Sequence, residues 1–179
     1  MKNKNVAPIL AIIMTAVVLL GAKAALTNTA VKNEEMARNK MMSAMLPGST
    51  SFVPEEFDVE THSAIKSVYK ADNGYVIESI AYGYNGDIVL MVGVSMDGKV
   101  TGLAVEDMQE TRGLGAKALT NVPFLAQYLL TGGDAEIGNN VDALTGATVS
   151  SKAVTKAVNS AVAYVTGADT SSSATEWGG

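Results

Sequence analysis

The stretch Ser63–Met108, "SAIKSVYKADNGYVIESIAYGYNGDIVLMVGVSMDGKVTGLAVEDM", decides the fold. Four runs rich in Val, Ile and Tyr are separated by Asn73-Gly74, by Asn85-Gly86-Asp87 and by Asp97-Gly98. Asn-Gly and Asp-Gly between β-prone runs are strong hairpin signals, because those residues tolerate the positive φ of tight turns. The reading is a meander of four antiparallel strands. "IVLMVGV" (Ile88–Val94) is almost continuously apolar. A strand with no polar face belongs at the centre of the sheet, covered on both sides.

Such a sheet needs a cover. From Thr148 the apolar positions Val149, Ala153, Val154, Ala157, Val158, Ala161, Val162 and Val165 recur at helical spacing. Lys152, Thr155, Lys156, Asn159 and Ser160 fall between them, on the wetter side, and Gly167 is placed to stop the helix. A short helix is expected around Pro123–Leu130, with Pro123 in its first turn. Residues 23–46 hold no Gly and no Pro, and read as a helix stopped by "LPGS". Its methionines suit either a partner groove or a flexible packing stripe.

The amino terminus carries one uncharged run, Asn5–Ala22, between Lys4 and Lys23. As a helix it would span roughly 27 Å, close to the ~30 Å of a hydrocarbon core. Ala22-Lys23-Ala24 also fits a signal-peptide cleavage site. The run is longer than a usual signal-peptide core, so the expectation is a retained single anchor. The whole reads as α+β: an N-terminal transmembrane helix and helical stalk, then an antiparallel meander packed with a C-terminal helix. The expected division is 1–22 anchor, 23–48 stalk, 49–167 folded domain and 168–179 polar tail.

Composition excludes several chemistries. Thirteen basic and 18 acidic residues give a net charge of −5, which is no nucleic-acid footprint. No cysteine means no thiolate-held cluster, no disulfide and no thiol nucleophile. His62 is the single histidine, so a histidine-rich metal site is excluded.

"DALTGATVSSKAV" (Asp142–Val154) places Thr145, Thr148, Ser150 and Ser151 around Gly146-Ala147, where the last helix begins. Helix starts carry unpaired N–H groups and the positive end of the dipole. Hydroxyls there have two uses. Thr145 or Thr148 can cap the helix, or the free N–H groups with Ser150 and Ser151 can hold a phosphate.

The same stretch resembles the attachment motif of the covalent FMN-binding domain, found in the RnfG subunit of Rnf complexes and the related NqrC subunit of sodium-pumping quinone reductases. In that family the second threonine of [S/T]-G-A-T carries FMN through a phosphoester, which by position is Thr148. "ETRGLG" (Glu110–Gly115) is similar to the family's E-T-x-G-L-G segment, with Arg112 where proline is usual. "LPG" after a helical stalk and a single N-terminal anchor agree as well, and the chain's brevity is more like RnfG than NqrC. The resemblance implies that Gly113 and Gly115 allow close backbone approach to the flavin, that Leu114 packs on its ring, and that Glu110 and Thr111 bond its edge. Without it, "RGLG" reads as a tight turn. It implies an electron-transfer subunit of an ion-translocating ferredoxin:NAD oxidoreductase, with no substrate site, catalytic residue or metal of its own. Other membrane subunits would be its partners, and a flavin transferase using FAD and magnesium would mature it. The expected location is the inner or plasma membrane, N-terminus cytoplasmic and flavin domain outside. The alternatives are an NqrC-like subunit and a non-redox anchored binding or assembly module.

Overall fold

The computed structural model describes residues 32–108 and 121–168. The anchor (1–22), the "ETRGLG" segment and residues 169–179 of the tail lie outside the described residues. Among the described residues no helix is long and apolar enough to cross a membrane. The chain divides into two units, Met1–Lys40 and Met41–Gly179. In the first, residues 32–40 are helical and exposed.

The second unit opens with helical residues 41–45 and continues into one sheet of five strands. These are β1 (Val53–Pro54), β2 (Ile65–Lys70), β3 (Gly74–Tyr82), β4 (Asp87–Ser95) and β5 (Val100–Met108), each antiparallel to its neighbour in simple sequence order. Two helices follow, α1 (Val122–Ala126) and α2 (Thr148–Thr166). The α+β meander stands as expected, with one strand more. Two residues ending in proline carry no strand pattern, and Pro54 is tolerated because β1 is an edge.

β4 is buried on both faces from Ile88 to Val94, as its unbroken apolar run requires. Ile88, Leu90, Val92 and Val94 meet Val154, Ala157, Val158, Ala161 and Val162 of α2 in the main core. Val76 and Met91 face the other way, onto Met42 and Leu46. Of the methionines, Met42 is sunk in this second core, whereas Met36 and Met41 are exposed. The segment at Met45 presses directly on the sheet. A Cβ on Gly93 would overlap the Met45 carbonyl, and one on Gly102 would lie 2.7 Å from it. Thr101 Oγ1 donates to that same carbonyl at 2.7 Å.

The turn signals locate the hairpins, but one glycine has another task. At β2–β3 the loop is Asp72-Asn73, closed by the Ala71 N–H donating to the Gly74 carbonyl at 2.9 Å. Gly74 has no positive φ. It is small because a Cβ there would overlap the Val94 carbonyl on the neighbouring strand. At β4–β5, by contrast, Gly98 takes φ 76° and ends a type I turn, its N–H donating to the Ser95 carbonyl at 2.9 Å.

The direction of α2 places the candidate site. Its last turn lies where β3 begins: Tyr164 stacks edge-on to Tyr75 and to His62 and donates to Glu55. Nineteen residues of helix reach ~28 Å, and nine residues of strand ~30 Å. The first turn of α2 therefore lies at the opposite end of the sheet, where β3 ends at Tyr82, β4 begins and β5 ends at Met108.

Candidate functional site

α2 starts at Thr148 with Ala147 as its N-cap, at φ −134° and ψ 36°. Alanine offers no side-chain acceptor, and no side-chain cap bond is made. The capping reading of Thr145 and Thr148 is therefore not what the structure adopts. The N–H groups of Thr148, Val149 and Ser150 have no acceptor within the helix, by its geometry. Thr148 is exposed and stands beside them.

A turn delivers the chain to this point. The Ala147 N–H donates to the Leu144 carbonyl at 2.9 Å, with Thr145 and Gly146 between. Gly146 has φ 78° and Thr145 a negative φ, the type II pattern. That is why glycine occupies the second place of T-G-A-T: a side chain there would be forced into the left-handed region. Thr145 and Gly146 are exposed, while Ala147 is buried in the main core.

The two serines face inward. Ser150 is buried, and so is Ser151. Ser151 Oγ accepts the Leu144 N–H at 3.1 Å and donates to the Ala147 carbonyl at 2.9 Å. Its hydroxyl is spent on folding the turn back onto the helix.

Thr155 corrects the reading that put it on the wetter side of α2. It is 8% exposed, and its hydroxyl donates to the Ser151 carbonyl at 3.0 Å. Tyr128, fully buried after α1, has its hydroxyl 2.8 Å from Thr155 Oγ1. Since the one hydroxyl proton of Thr155 goes to Ser151, Tyr128 is the donor. Burial pushes the Tyr128 phenol up to about 12, so it keeps that proton at any physiological pH. Beside it, Gln127 grips the backbone of Asp142: Oε1 accepts the Asp142 N–H at 2.8 Å and Nε2 donates to the Asp142 carbonyl at 3.3 Å. Neither pairing has a sequence signal, because the partners lie 15 and 27 residues apart. α1 itself is started by Asn121, whose side chain accepts the Phe124 N–H.

The electrostatics suit an anion. No acidic residue lies in the first turn of α2. Lys152 and Lys156, four and eight residues beyond Thr148, are exposed on the same side of the helix. An exposed hydroxyl, the N–H groups of a helix start, the helix dipole and two cations together fit a phosphate held at Thr148. Glu110, Thr111, Gly113, Leu114 and Gly115 lie outside the described residues, but β5 ends two residues before Glu110, at this same end of the sheet. A separate cleft of about 580 Å³, lined by Thr50, Ser51, Glu55, Lys70 and Asp72, is at the far end. Its walls mix both charges, with Lys70 paired to Glu55 at 3.4 Å, and it holds none of the T-G-A-T residues. Among the described residues no group of carboxylates and His62 is placed to hold a metal ion.

Residues 83–163 match the family model of the FMN-binding domain, from the β3–β4 turn through most of α2. The chain is 35% identical to the G subunit of an ion-translocating oxidoreductase complex from Methanosarcina acetivorans, over 86% of this chain and 93% of the relative. The G subunit of a Na(+)-translocating ferredoxin:NAD(+) oxidoreductase complex from Acetobacterium woodii is 29% identical, over 76% of this chain and 72% of its own. In Vibrio atlanticus the G subunit of an ion-translocating oxidoreductase complex is 30% identical, over 78% of each chain. A chain that aligns with nearly the whole of such a relative, and whose helix start carries the geometry described above, belongs to the RnfG family, the G subunits of ion-translocating oxidoreductase complexes.

Proposed function

We propose that this chain is a membrane-anchored flavoprotein subunit that relays electrons through FMN attached to Thr148, within an ion-translocating ferredoxin:NAD oxidoreductase complex of the Rnf kind. The observation that carries the reading is the exposed Thr148 hydroxyl at an uncapped helix start, presented by a turn that only glycine completes without strain.

Each residue then has a defined task. Thr148 offers its hydroxyl oxygen to the FMN phosphorus of FAD. Attachment would join that oxygen to the FMN phosphorus as the pyrophosphate P–O bond is broken, with AMP as the leaving group and the hydroxyl proton taken by a base of the transferase. The N–H groups of the first turn of α2 would hold the phosphate, with Lys152 one turn away adding positive charge. Gly146 and Thr145 keep the approach open, and Ala147 anchors the turn in the core. Ser151 acts from beneath by holding the turn closed. Glu110, Thr111, Gly113, Leu114 and Gly115 would flank the ring. Bound FMN supplies the electron transfer, and the protein supplies its position and electrostatic setting.

A covalent tether removes dissociation, which matters on the extracytoplasmic side, where free FMN is not supplied. This fits residues 1–22 as anchor with a cytoplasmic N-terminus, 23–48 as stalk, 49–167 as the flavin domain and 168–179 as tail. Other membrane subunits of the complex would be electron donor and acceptor. Co-production with a flavin transferase tests the reading. Wild type should fluoresce on a denaturing gel, and Thr148→Val should not. A fluorescent Thr148→Val band moves the bond to another hydroxyl. A dark wild type leaves a non-redox anchored module.

A further inference from the structure

Serine and threonine hydroxyls inside helices often bond the carbonyl four residues back. Ser151 to Ala147 and Thr155 to Ser151 are such bonds, and alone they would say little. Each of the two hydroxyls also carries a second bond from outside the helix. Ser151 Oγ accepts from Leu144, in the turn before Thr148. Thr155 Oγ1 accepts from Tyr128, just beyond the other helix. The two sets of bonds meet at Ser151: Tyr128 O–H to Thr155 and Thr155 O–H to the Ser151 carbonyl on one side, and the Ser151 hydroxyl to both ends of the turn on the other. Phenylalanine would fill the same core space as Tyr128, against Phe124, with no polar atom to satisfy. The phenol is worth burying only for the bond it makes. One residue earlier, Gln127 clamps both backbone groups of Asp142. Consecutive residues at the end of α1 thus hold the chain before Thr148 at two places.

We propose that Gln127, Tyr128 and Thr155 are positioning residues for the attachment threonine. They hold the Asp142–Ala147 segment against α1 and α2, so that Thr148 stands ready to receive the flavin phosphate without further ordering. The inference rests on Thr148 as the attachment point. None of the three touches the flavin phosphate. They act through the backbone of Asp142, Leu144 and Ala147. A consequence follows for the order of events: the segment is set before any flavin arrives. Removing the relay leaves a folded acceptor whose turn must be ordered anew in each encounter with the transferase.

The test uses the full chain in detergent, made without flavin. Gln127→Glu keeps an acceptor for the Asp142 N–H but loses the donor to its carbonyl. Thr155→Val removes the hydroxyl and keeps the shape, and Thr155→Ser restores it. Two readouts are taken: amide hydrogen exchange across residues 142–147 before flavin is added, and the initial rate of covalent incorporation from FAD with transferase. Thr155→Val and Gln127→Glu should exchange faster in this segment and incorporate flavin at least about tenfold more slowly, the equivalent of one lost hydrogen bond. Thr155→Ser should match wild type in both. Wild-type exchange and wild-type rates in both impaired variants would overturn the proposal, and so would a slow Thr155→Ser. If wild type itself takes up no flavin, the attachment reading fails, and the exchange measurement still decides whether the three residues hold the segment.

Discussion

At the scale of single residues, T-G-A-T is a backbone device as much as a chemical one. Gly146 is required by its φ of 78°. Gly146→Ala should therefore cost about 1–2 kcal/mol, the strain of a left-handed non-glycine residue, read as a shift in the urea midpoint. Gly138 has a comparable φ of 85° with open space where a Cβ would go. Gly138→Ala should cost a similar amount and leave flavin incorporation untouched, which separates strain from position. The helix start is legible in the sequence, but the residues alone leave Thr145, Thr148, Ser150 and Ser151 as equal candidates, and only the resemblance to the family motif singles out Thr148. The division of labour among the hydroxyls is not legible. Thr155 sits among alanines and valines and reads as a polar interruption until Tyr128 is seen to reach it. Ser151 reads as a phosphate ligand until its hydroxyl is found in use by Leu144 and Ala147.

At the scale of elements, hydrophobic rhythm and turn residues give strands and helices their places. The continuous burial of β4 and the stripe of α2 follow from the periods of pleat and helix. What pattern reading lacks is close approach between elements. Gly74 reads as a turn glycine, and its smallness in fact serves the neighbouring Val94 carbonyl. Gly93 looks like an accident in an apolar run, yet the Met45 carbonyl occupies the space a side chain would need. Backbone cannot swing aside as a side chain can. Gly93→Ala should thus cost ~2–3 kcal/mol, at the upper end for overpacking, and should detach Thr101 from Met45. Thermal unfolding measures the first, and loss of amide protection around residues 41–46 the second. A Gly93→Ala protein as stable as wild type would contradict this packing.

At the scale of the whole molecule, charge and topology set two further expectations. Asp58 is held below the usual carboxylate range by the Thr61 hydroxyl, Asp72 by the Ser49 hydroxyl and Asp134 by the Gly132 N–H. Their contribution is present above the ordinary 3.8 and is lost as pH falls below it. Tyr128 and Tyr164 are both pushed by burial up to about 12. Their contribution is complete below the ordinary 10.0 and is lost as pH rises toward 12. Stability should be flat between roughly pH 5 and 9 and fall on both sides, and Tyr128→Phe should flatten the alkaline fall in a denaturation series. Topology can be tested because the chain has no cysteine. Met96, at the β4–β5 turn, is 55% exposed. Met96→Cys in intact cells should react with an impermeant thiol reagent if the flavin domain is outside, whereas labelling only after lysis would reverse the orientation. The central claim is the bond at Thr148, and it is tested most directly by the intact mass of the denatured protein taken from its own membranes. The account predicts the mass of the chain plus FMN less one water, with the addition mapping to the peptide that contains Thr148. An unmodified mass, or the addition on a peptide without Thr148, would contradict it.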